Sequence, residues 1–326
     1  MNGEPSRPPR AVAVLGTGTM GAGISLAFAR AGSAVVACTR THRGAARAQE
    51  AITRSARHLV DRGSEPSALV TEITARIKVT RNLHDLDHQT ELVIESIPEQ
   101  LADKQRLLAE VEMAVPPNAI VTSNTSSLPV TLLASALQRP ERFAGFHWFN
   151  PAELVQLVEI VPAPQTSRTT VTALQRWSAA LGKCAVTLAR DTQGFVANRL
   201  QYALLREAYA LIEAGVCEPA EVDEAVRAGL GPRWAAVGPF ESMDLAGLDV
   251  HLAVTRQLFP VLSTVREPPA MLDSLVSEGA LGTKSGRGIR GSYAEQDVAE
   301  LTDRRDRLLT IIARMADRPP GDPQDT

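Results

Sequence analysis

The segment AVAVLGTGTMGAGISLAFARAG, which spans Ala11–Gly32, is the strongest indication of the fold of this chain. Its first residues are apolar and predict a strand, and a helical pattern follows the turn that contains Gly16, Gly18 and Gly21. At this spacing the first glycine permits a tight turn, the second lets backbone approach a pyrophosphate, and the third lets the helix pack closely on the strand. The segment therefore predicts a dinucleotide-binding turn.

The helix after this turn is predicted over residues 20–31, with Gly32 as its C-cap. Its positive N-terminal end then points at the phosphates of the dinucleotide. The predicted phosphate contacts are Gly16, Gly18, Thr19, Met20 and Gly21.

Short apolar runs rich in β-branched residues alternate with helical patterns from Arg10 to about residue 190. This alternation predicts the α/β class, with a Rossmann-type doubly wound sheet. Several runs are apolar on both faces, as expected of strands covered by helices on both sides. The predicted strands are AVAVLG from Ala11, SAVVACT from Ser33, RIKVT from Arg76, ELVIES from Glu91, AIVTSN from Ala119, FAGFH from Phe143, LVQLVEIV from Leu154 and CAVTLAR from Cys184.

The strand pattern stops after Asp191, and helical periodicity follows. We therefore predict a dinucleotide-binding domain over residues 1–190 and an all-helical substrate and dimerisation domain over residues 191–326. The predicted helices are 198–214, 219–228, 240–258 and 294–315. Five residues of the helix that begins near Gly194 recur on one stripe, which predicts a buried face. They are Asn198, Tyr202, Leu205, Tyr209 and Ile212.

Composition narrows the class of protein further. The 326 residues, 44% of them hydrophobic, suffice for two domains. A net charge of −3 with interspersed acids and bases predicts no nucleic-acid partner, and no apolar run is long enough to predict a membrane partner. The cysteines, Cys38, Cys184 and Cys217, are widely spaced, which predicts no metal site and a reducing cytoplasm. The polar, proline-rich ends MNGEPSRPPR and RPPGDPQDT are predicted to be frayed tails.

The end of the second strand bears on the choice of cofactor. In NAD-binding domains an acidic residue at this point holds the ribose hydroxyls. This chain has Thr39 and Arg40 there, with Arg43 close behind. Thr39 removes the carboxylate that would repel a 2′-phosphate, and Arg40 offers a guanidinium suited to binding one. The alternative is that Arg40 is a solvated residue that stacks on adenine. The pattern favours NADP(H), with NAD(H) as the other candidate.

Three polar clusters interrupt apolar strands in the second half of the sheet domain. They are SNTSS at 123–127, GFHWFNP at 145–151, and Glu159 within LVQLVEIV. A histidine after a strand is more often structural, and an acid within a strand is often half of an ion pair. Both together, beside a hydroxyl cluster and a dinucleotide fold, favour a catalytic site.

In their order along the chain, these motifs resemble those of the 3-hydroxyacyl-CoA dehydrogenase family, and within it the lambda-crystallin/L-gulonate 3-dehydrogenase branch. The resemblance covers nearly the whole chain and implies a homodimer formed through the helical domain. It rests on the motifs SNTSSL, GFHWFNP, LVEIV, GFVANRLQYALLREAYALIEAG, GLGPRWAAVGPFESMDLAGLD and GTKSGRG.

The resemblance implies that His147 is the general acid/base, which gives a proton to a ketone oxygen or takes one from an alcohol, and that Glu159 orients it. Ser126 and Asn198 would bind the same oxygen as negative charge builds on it. The residues that match the family's cofactor contacts are Glu99, Lys104, Asn150 and Lys284. Simple solvation is the alternative for Lys104, and a mobile surface position is the alternative for Lys284.

The stretch GLGPRWAAVGP at 229–239 bears on the substrate. Arg233 would bind a free carboxylate, which implies a β-hydroxy or β-keto acid instead of a CoA thioester. An interface arginine is the alternative. Trp234 would form an aromatic wall for the substrate, and a core tryptophan is its alternative.

The sequence thus predicts an oxidoreductase that moves a hydride between a nicotinamide cofactor and the β-carbon of a 3-hydroxyacyl or 3-keto substrate, as an acyl-CoA or a free acid. A second candidate is a biosynthetic NADPH-dependent ketoreductase of a polyketide-type β-keto intermediate, favoured by the missing ribose-binding acid. A third is a non-catalytic, crystallin-like structural or cofactor-sensing protein. The presence of Ser126, His147, Glu159 and Asn198 together argues against the third.

Overall fold

The computed structural model describes residues 7–61, 66–86 and 88–316. The chain divides into two compact units, of which the second spans Ala197–Asp306 and the first comprises the residues on either side of it. Residues 1–6 and 318–326, which make up most of the two predicted frayed tails, lie outside the described residues.

An eight-stranded sheet organises the first unit. Its order is β3-β2-β1-β4-β5-β6-β7-β8, with the first six strands parallel, β7 antiparallel to β6, and β8 parallel to β7. The prediction of a Rossmann-type sheet is confirmed. The strands are β1 (Ala11–Leu15), β2 (Ala34–Cys38), β3 (Ile77–Thr80), β4 (Leu92–Glu95), β5 (Ile120–Ser123), β6 (Phe143–Trp148), β7 (Leu157–Pro162) and β8 (Cys184–Thr187).

Helices connect these strands and cover both faces of the sheet, and a last helix, α13, begins in the second unit and ends in the first. The connecting helices are α1 (Thr19–Arg30), α2 (His42–Asp61), α3 (Ser67–Ala75), α4 (Leu101–Ala114), α5 (Val130–Ala134) and α6 (Arg168–Ala180), and α13 is Glu295–Ala316. The C-cap of α1 is Ala31, one residue before the predicted Gly32, which follows it with φ +101° while the Ser33 amide donates to the Phe28 carbonyl.

The alternation of side chains along β6 places the candidate catalytic histidine. Phe146 and Trp148 point to the face covered by α1, where Trp148 packs against Phe28 with ring centroids 5.6 Å apart. Burying an aromatic side chain of this size stabilises the fold by about 1.5–3 kcal/mol. His147 lies between these two residues and therefore points to the opposite face. The antiparallel register pairs it directly with Glu159 of β7.

Helices make up most of the second unit, as predicted. They are α7 (Ala197–Glu213), α8 (Pro219–Ala225), α9 (Gly231–Ala236), α10 (Pro239–Ala246), α11 (Leu248–Leu258) and α12 (Ala270–Ser277), with a π-helical segment at Val226–Leu230 and a two-stranded ribbon of β9 (Arg287–Gly288) and β10 (Gly291–Ser292). No described helix of the chain is both long and apolar enough to span a membrane.

Three predictions for this unit are wrong in detail. The single helix predicted over 240–258 is two helices, because Gly247 adopts φ +100° between them. The ribbon of β9 and β10 departs from the all-helical prediction, since strands of two residues are too short to show alternation in the sequence. The stripe on α7 is not a buried face, because Tyr202 is 66% exposed and Ala208 is the buried residue of that helix.

Candidate active site

The glycine turn lies where the strand order of the sheet reverses. β1 lies between β2 and β4. The sheet continues from β2 to β3 on one side and from β4 to β5 on the other side. The Gly16 amide donates to the Cys38 carbonyl at 2.8 Å, and the Ser96 amide donates to the Leu15 carbonyl at 2.7 Å. In doubly wound sheets, the crevice outside the carboxyl ends of the strands at this switch point is where nucleotides bind.

The geometry of the turn fits a dinucleotide. Gly16 has φ +97°, and a Cβ on it would lie 2.5 Å from the Ser96 carbonyl oxygen. A Cβ on Gly21 would lie 1.8 Å from the Gly16 carbonyl oxygen, whereas one on Gly18 would meet nothing within 4 Å. The first and third glycines are thus needed for packing, and the second faces open space. α1 then begins at Thr19 with no acid in its first turn, which leaves its positive end suited to a phosphate.

Beyond β2 lie the two residues that bear on the choice of dinucleotide. Thr39 is half-buried and its amide donates to the Thr80 carbonyl at 2.9 Å, so its backbone continues the sheet. Arg40 is exposed, and α2 begins two residues later at His42. A threonine and an arginine therefore occupy the position where an NAD-binding domain carries its ribose-binding acid.

His147 and Glu159 form a buried pair across β6 and β7. The imidazole Nδ1 lies 2.9 Å from Glu159 Oε2, and the two side chains are 6% and 1% exposed. A carboxylate at Nδ1 holds the proton of the neutral imidazole on that nitrogen and leaves the Nε2 lone pair to accept another. The same carboxylate stabilises the imidazolium once Nε2 is protonated. The pair can therefore act as a general base and a general acid.

The pair is held from two further sides. Glu159 Oε1 accepts a hydrogen bond from the Val196 amide at 2.9 Å. The aromatic rings of Phe149 and Phe195 lie 4.4 Å and 5.3 Å from the imidazole, measured between ring centroids. Both oxygens of the Glu159 carboxylate thus have a hydrogen-bond partner, and two aromatic rings lie next to the imidazole.

The predicted oxygen-binding residue Ser126 lies on a loop that Glu99 organises. Glu99 Oε1 accepts hydrogen bonds from Thr125 Oγ1 at 2.6 Å and from the amides of Ser126 and Ser127 at 2.8 Å and 3.0 Å. Burial on its own would raise the pKa of Glu99. The Thr125 hydrogen bond, the Lys104 charge and the two amides outweigh burial and lower this pKa to about 2.

Lys104 connects this loop to the sheet. Its ammonium donates to Glu95 Oε1 at 2.7 Å and lies 3.2 Å from Glu99 Oε2, and its side chain is 1% exposed. The alternative of a solvated Lys104 is therefore wrong. Glu95 is fully buried and also accepts from Ser123 Oγ at 2.5 Å. The chain of contacts from Ser123 through Glu95, Lys104 and Glu99 fixes the serine loop onto β4 and β5.

Acid should remove the contribution of Glu99 to stability. Its folded pKa of about 2 lies below the ordinary value of 4.5, so the stabilisation is complete above pH 4.5 and is lost as the pH falls towards 2. Between these pH values the unfolding free energy of Glu99→Gln should fall less steeply than that of the wild type. Urea unfolding at a series of pH values measures both slopes. Exposed Glu110 on α4 is the matched control, and equal slopes for Glu99→Gln and Glu110→Gln would contradict the assignment.

Two asparagines lie near the ends of these strands. Asn124 Oδ1 accepts from the Trp148 amide at 2.8 Å, and its Nδ2 donates to Ser96 Oγ at 3.3 Å, which ties the ends of β4, β5 and β6 together. In the sequence, Asn124 stands out only as a member of the polar cluster SNTSS. The predicted cofactor contact Asn150 is exposed in the turn after β6, where its peptide bond to Pro151 is cis.

The remaining predicted site residues lie in the second unit. Asn198 is half-buried in the first turn of α7, and Lys284 is exposed in the loop before β9. Arg233 and Trp234 lie on α9, where both are exposed. The alternative of Trp234 as a core residue is wrong, because 44% of its surface is exposed.

Comparison with known proteins agrees with this geometry. Residues 11–192 match the NAD binding domain of 3-hydroxyacyl-CoA dehydrogenase, and residues 194–291 match its C-terminal domain. A 5-formyl-3-hydroxy-2-methylpyridine 4-carboxylate 5-dehydrogenase of Mesorhizobium japonicum is 33% identical over 303 residues, which cover 93% of this chain and 97% of that protein. A mitochondrial hydroxyacyl-coenzyme A dehydrogenase of Sus scrofa is 36% identical over 285 residues, which cover 85% of this chain and 90% of that protein.

A similar solved structure is that of a 5-formyl-3-hydroxy-2-methylpyridine 4-carboxylic acid 5-dehydrogenase, an NAD+ dependent dismutase. It is 32% identical, has a TM-score of 0.87, and the match covers 95% of this chain and 99% of that chain. These relatives do not single out the lambda-crystallin branch, which stays a prediction. Both domain matches and the sheet topology agree, so the chain belongs to the 3-hydroxyacyl-CoA dehydrogenase family of oxidoreductases.

Proposed function

We propose that this enzyme transfers a hydride between a nicotinamide cofactor and the β-carbon of a 3-hydroxyacyl or 3-keto substrate, with His147 as the general acid/base. The observation that carries the proposal is the buried pair of His147 Nδ1 and Glu159 Oε2, 2.9 Å apart. A base must be protonatable, oriented and shielded from competing water, and this pair meets all three conditions.

In the oxidation direction, His147 Nε2 takes the proton of the β-hydroxyl group, and Glu159 stabilises the resulting imidazolium. In the reduction direction, the imidazolium returns this proton to the ketone oxygen. Ser126 and Asn198 bind that oxygen and stabilise the negative charge that develops on it. The bound nicotinamide supplies or accepts the hydride.

The residues proposed for the cofactor fall into three groups. Gly16, Gly18, Thr19, Met20 and Gly21 hold the diphosphate at the start of α1. Thr39 and Arg40 hold the adenosine end and favour NADP(H) over NAD(H). Glu99, Asn150 and Lys284 would contact the cofactor directly. Lys104, which the sequence predicts as another direct contact, is 1% exposed and would instead hold Glu99 in place.

There are two candidates for the substrate class. One is a β-hydroxy or β-keto acid, free or as its CoA ester, and the other is a polyketide-type β-keto intermediate. An exposed Arg233 on α9 favours a substrate with a free carboxylate, a β-hydroxy or β-keto acid, with Trp234 as an apolar wall. The absence of an acid at the end of β2 favours an NADPH-dependent reductase of a biosynthetic, polyketide-type β-keto intermediate. We place the free acid or its CoA ester first. A non-catalytic role does not explain why a complete acid/base pair is buried in the first unit.

Initial rates of NADPH and NADH oxidation with three β-keto compounds test this proposal. The compounds are acetoacetyl-CoA, a free β-keto acid and a bulky aromatic β-keto ester. We expect turnover of the CoA ester or the free acid. A rate confined to the bulky ester would establish the ketoreductase instead. Tight cofactor binding with no turnover of any of the three would establish the non-catalytic protein.

We also propose that the protein is a homodimer formed through the second unit, as we expect for the domain over residues 191–326. Several large apolar side chains of that unit are exposed, and groups of exposed apolar side chains often mark protein–protein interaction sites. Phe240, Leu245, Phe259 and Val261 are between 69% and 79% exposed. Sedimentation equilibrium should give about twice the chain mass of 34.9 kDa, and a species of the single mass would contradict the proposal.

The free thiols of Cys38, Cys184 and Cys217 support a place in the reducing cytoplasm.

A further inference from the structure

A strained turn leads from the sheet into α7. Gly194 and Phe195 have φ values of +76° and +51°, both in the left-handed region, and the Phe195 amide donates to the Thr192 carbonyl at 3.0 Å. Glycine adopts this conformation freely. A bulky residue such as phenylalanine rarely does, and strain of this kind is most often found beside functional sites.

The turn makes two contacts with the catalytic pair. The residue after it, Val196, donates its amide to Glu159 Oε1 at 2.9 Å, on the opposite side of the carboxylate from His147. The Phe195 ring, 1% exposed, lies 5.3 Å from the imidazole at an interplanar angle of 60°. A relaxed, extended Phe195 would point its ring and the following amide in other directions, so both contacts depend on the left-handed backbone.

We propose that the turn Gly194-Phe195-Val196 is a positioning device for the catalytic pair. The Val196 amide keeps Glu159 aimed at Nδ1, and the Phe195 ring prevents the imidazole from rotating away from the substrate oxygen. None of the three residues touches the reacting atoms, so each acts through His147 or Glu159. This inference rests on the proposed role of His147 as the general acid/base.

Gly194→Ala tests the turn, because a Cβ at this φ strains the backbone while the ring remains. Gly182→Ala is the matched control, since Gly182 also has a positive φ of +67° in the first unit and a Cβ on it meets nothing within 4 Å. Both glycines have a left-handed φ, so alanine at either position carries a similar backbone cost. In Gly194→Ala we expect kcat to fall at least tenfold with less than a twofold change in cofactor Kd. Gly182→Ala should keep kcat within twofold of the wild type.

The tautomer of His147 gives a reading that a loss of stability alone would not change. In the cofactor-free protein labelled with ¹⁵N-histidine, the neutral imidazole should carry its proton on Nδ1, facing Glu159. Gly194→Ala should shift part of the population to the Nε2-protonated form, and Gly182→Ala should not. The spectrum of His147→Asn identifies the signals of His147 among those of the six histidines.

Phe195→Gly separates the ring from the turn and serves if Gly194→Ala does not fold. Glycine adopts φ +51° without strain, so the Nδ1-protonated form should persist while kcat falls about tenfold. A wild-type tautomer and kcat in Gly194→Ala, or kcat within twofold in Phe195→Gly, would overturn the inference. Because the tautomer is measured without substrate, an inactive wild type or an active His147→Asn would overturn the proposed function without altering this reading.

Discussion

Replacement of His147 by asparagine should lower kcat about 10³-fold and change the cofactor Kd less than twofold. The variant removes the group that moves the proton, and general acid–base catalysis typically contributes 10²–10⁴-fold. Asparagine keeps a polar side chain on β6 but cannot be protonated near neutral pH. The glycine turn and the start of α1, which we assign to the cofactor, lie on other elements and are untouched by this change.

Steady-state turnover and a fluorescence titration with NADPH measure the two quantities. Glu159→Gln should also lower kcat, by a smaller factor, because the amide can face Nδ1 but cannot stabilise the imidazolium with a charge. His251→Asn on α11 is the matched histidine control and should keep wild-type turnover. A kcat within tenfold of the wild type in His147→Asn would show that another group moves the proton.

Arg40→Ala should weaken NADPH binding about 10- to 100-fold and leave NADH binding unchanged. A hydrogen bond to a charged group is worth about 1.5–3 kcal/mol, which corresponds to this range. Thr39→Asp should have the larger effect on preference, since it restores the carboxylate that binds ribose hydroxyls and repels a 2′-phosphate. The combined variant should prefer NADH.

Titration of each variant with both cofactors measures this preference. Arg47→Ala is the control, because Arg47 is exposed on α2 two turns beyond Arg40. Equal affinity of the wild type for NADPH and NADH, unchanged by Arg40→Ala, would make Arg40 a surface residue and return NAD(H) to first place.

The sheet could be predicted from the sequence because its strands are short apolar runs separated by turn residues. The run from Phe143 and the run from Leu154 each form a strand in the structure. Periodicity does not predict how these strands pair, and it is their antiparallel register that places His147 opposite Glu159. In the second unit, helical periodicity predicts α7, α8, α13 and the run that contains α10 and α11, but it misses the short helices α9 and α12 and does not show where the helices end. Gly247 separates two helices because its φ is +100°, a value that the neighbouring residues do not predict. Tyr202 lies on the predicted buried stripe of α7, but 66% of its surface is exposed.

From the residues alone, the candidate site is predictable at the glycine turn, from its spacing, and where a polar residue interrupts an apolar strand. Glu159 shows the polar pattern. Glu95 in β4 shows it as well, and it is missing from the predicted site although it is fully buried and accepts a hydrogen bond from Lys104. The contact of the Val196 amide with Glu159 leaves no trace in the sequence, because every residue except proline has that donor. The side chain of Asn124 forms hydrogen bonds with Trp148 and Ser96, at the ends of two other strands. The sequence does not show that these strand ends lie beside Asn124 in the fold.

Deuterium transfer from the cofactor shows whether a hydride moves to the β-carbon of the substrate. Cofactor dideuterated at C4 of the nicotinamide is mixed with enzyme and either acetoacetyl-CoA or a free β-keto acid, and the product is analysed by mass spectrometry and NMR. We expect one deuterium on the β-carbon of the product, with the rate of its appearance about 10³-fold lower in His147→Asn. Product without deuterium at that carbon, or no product while the cofactor binds, would contradict it.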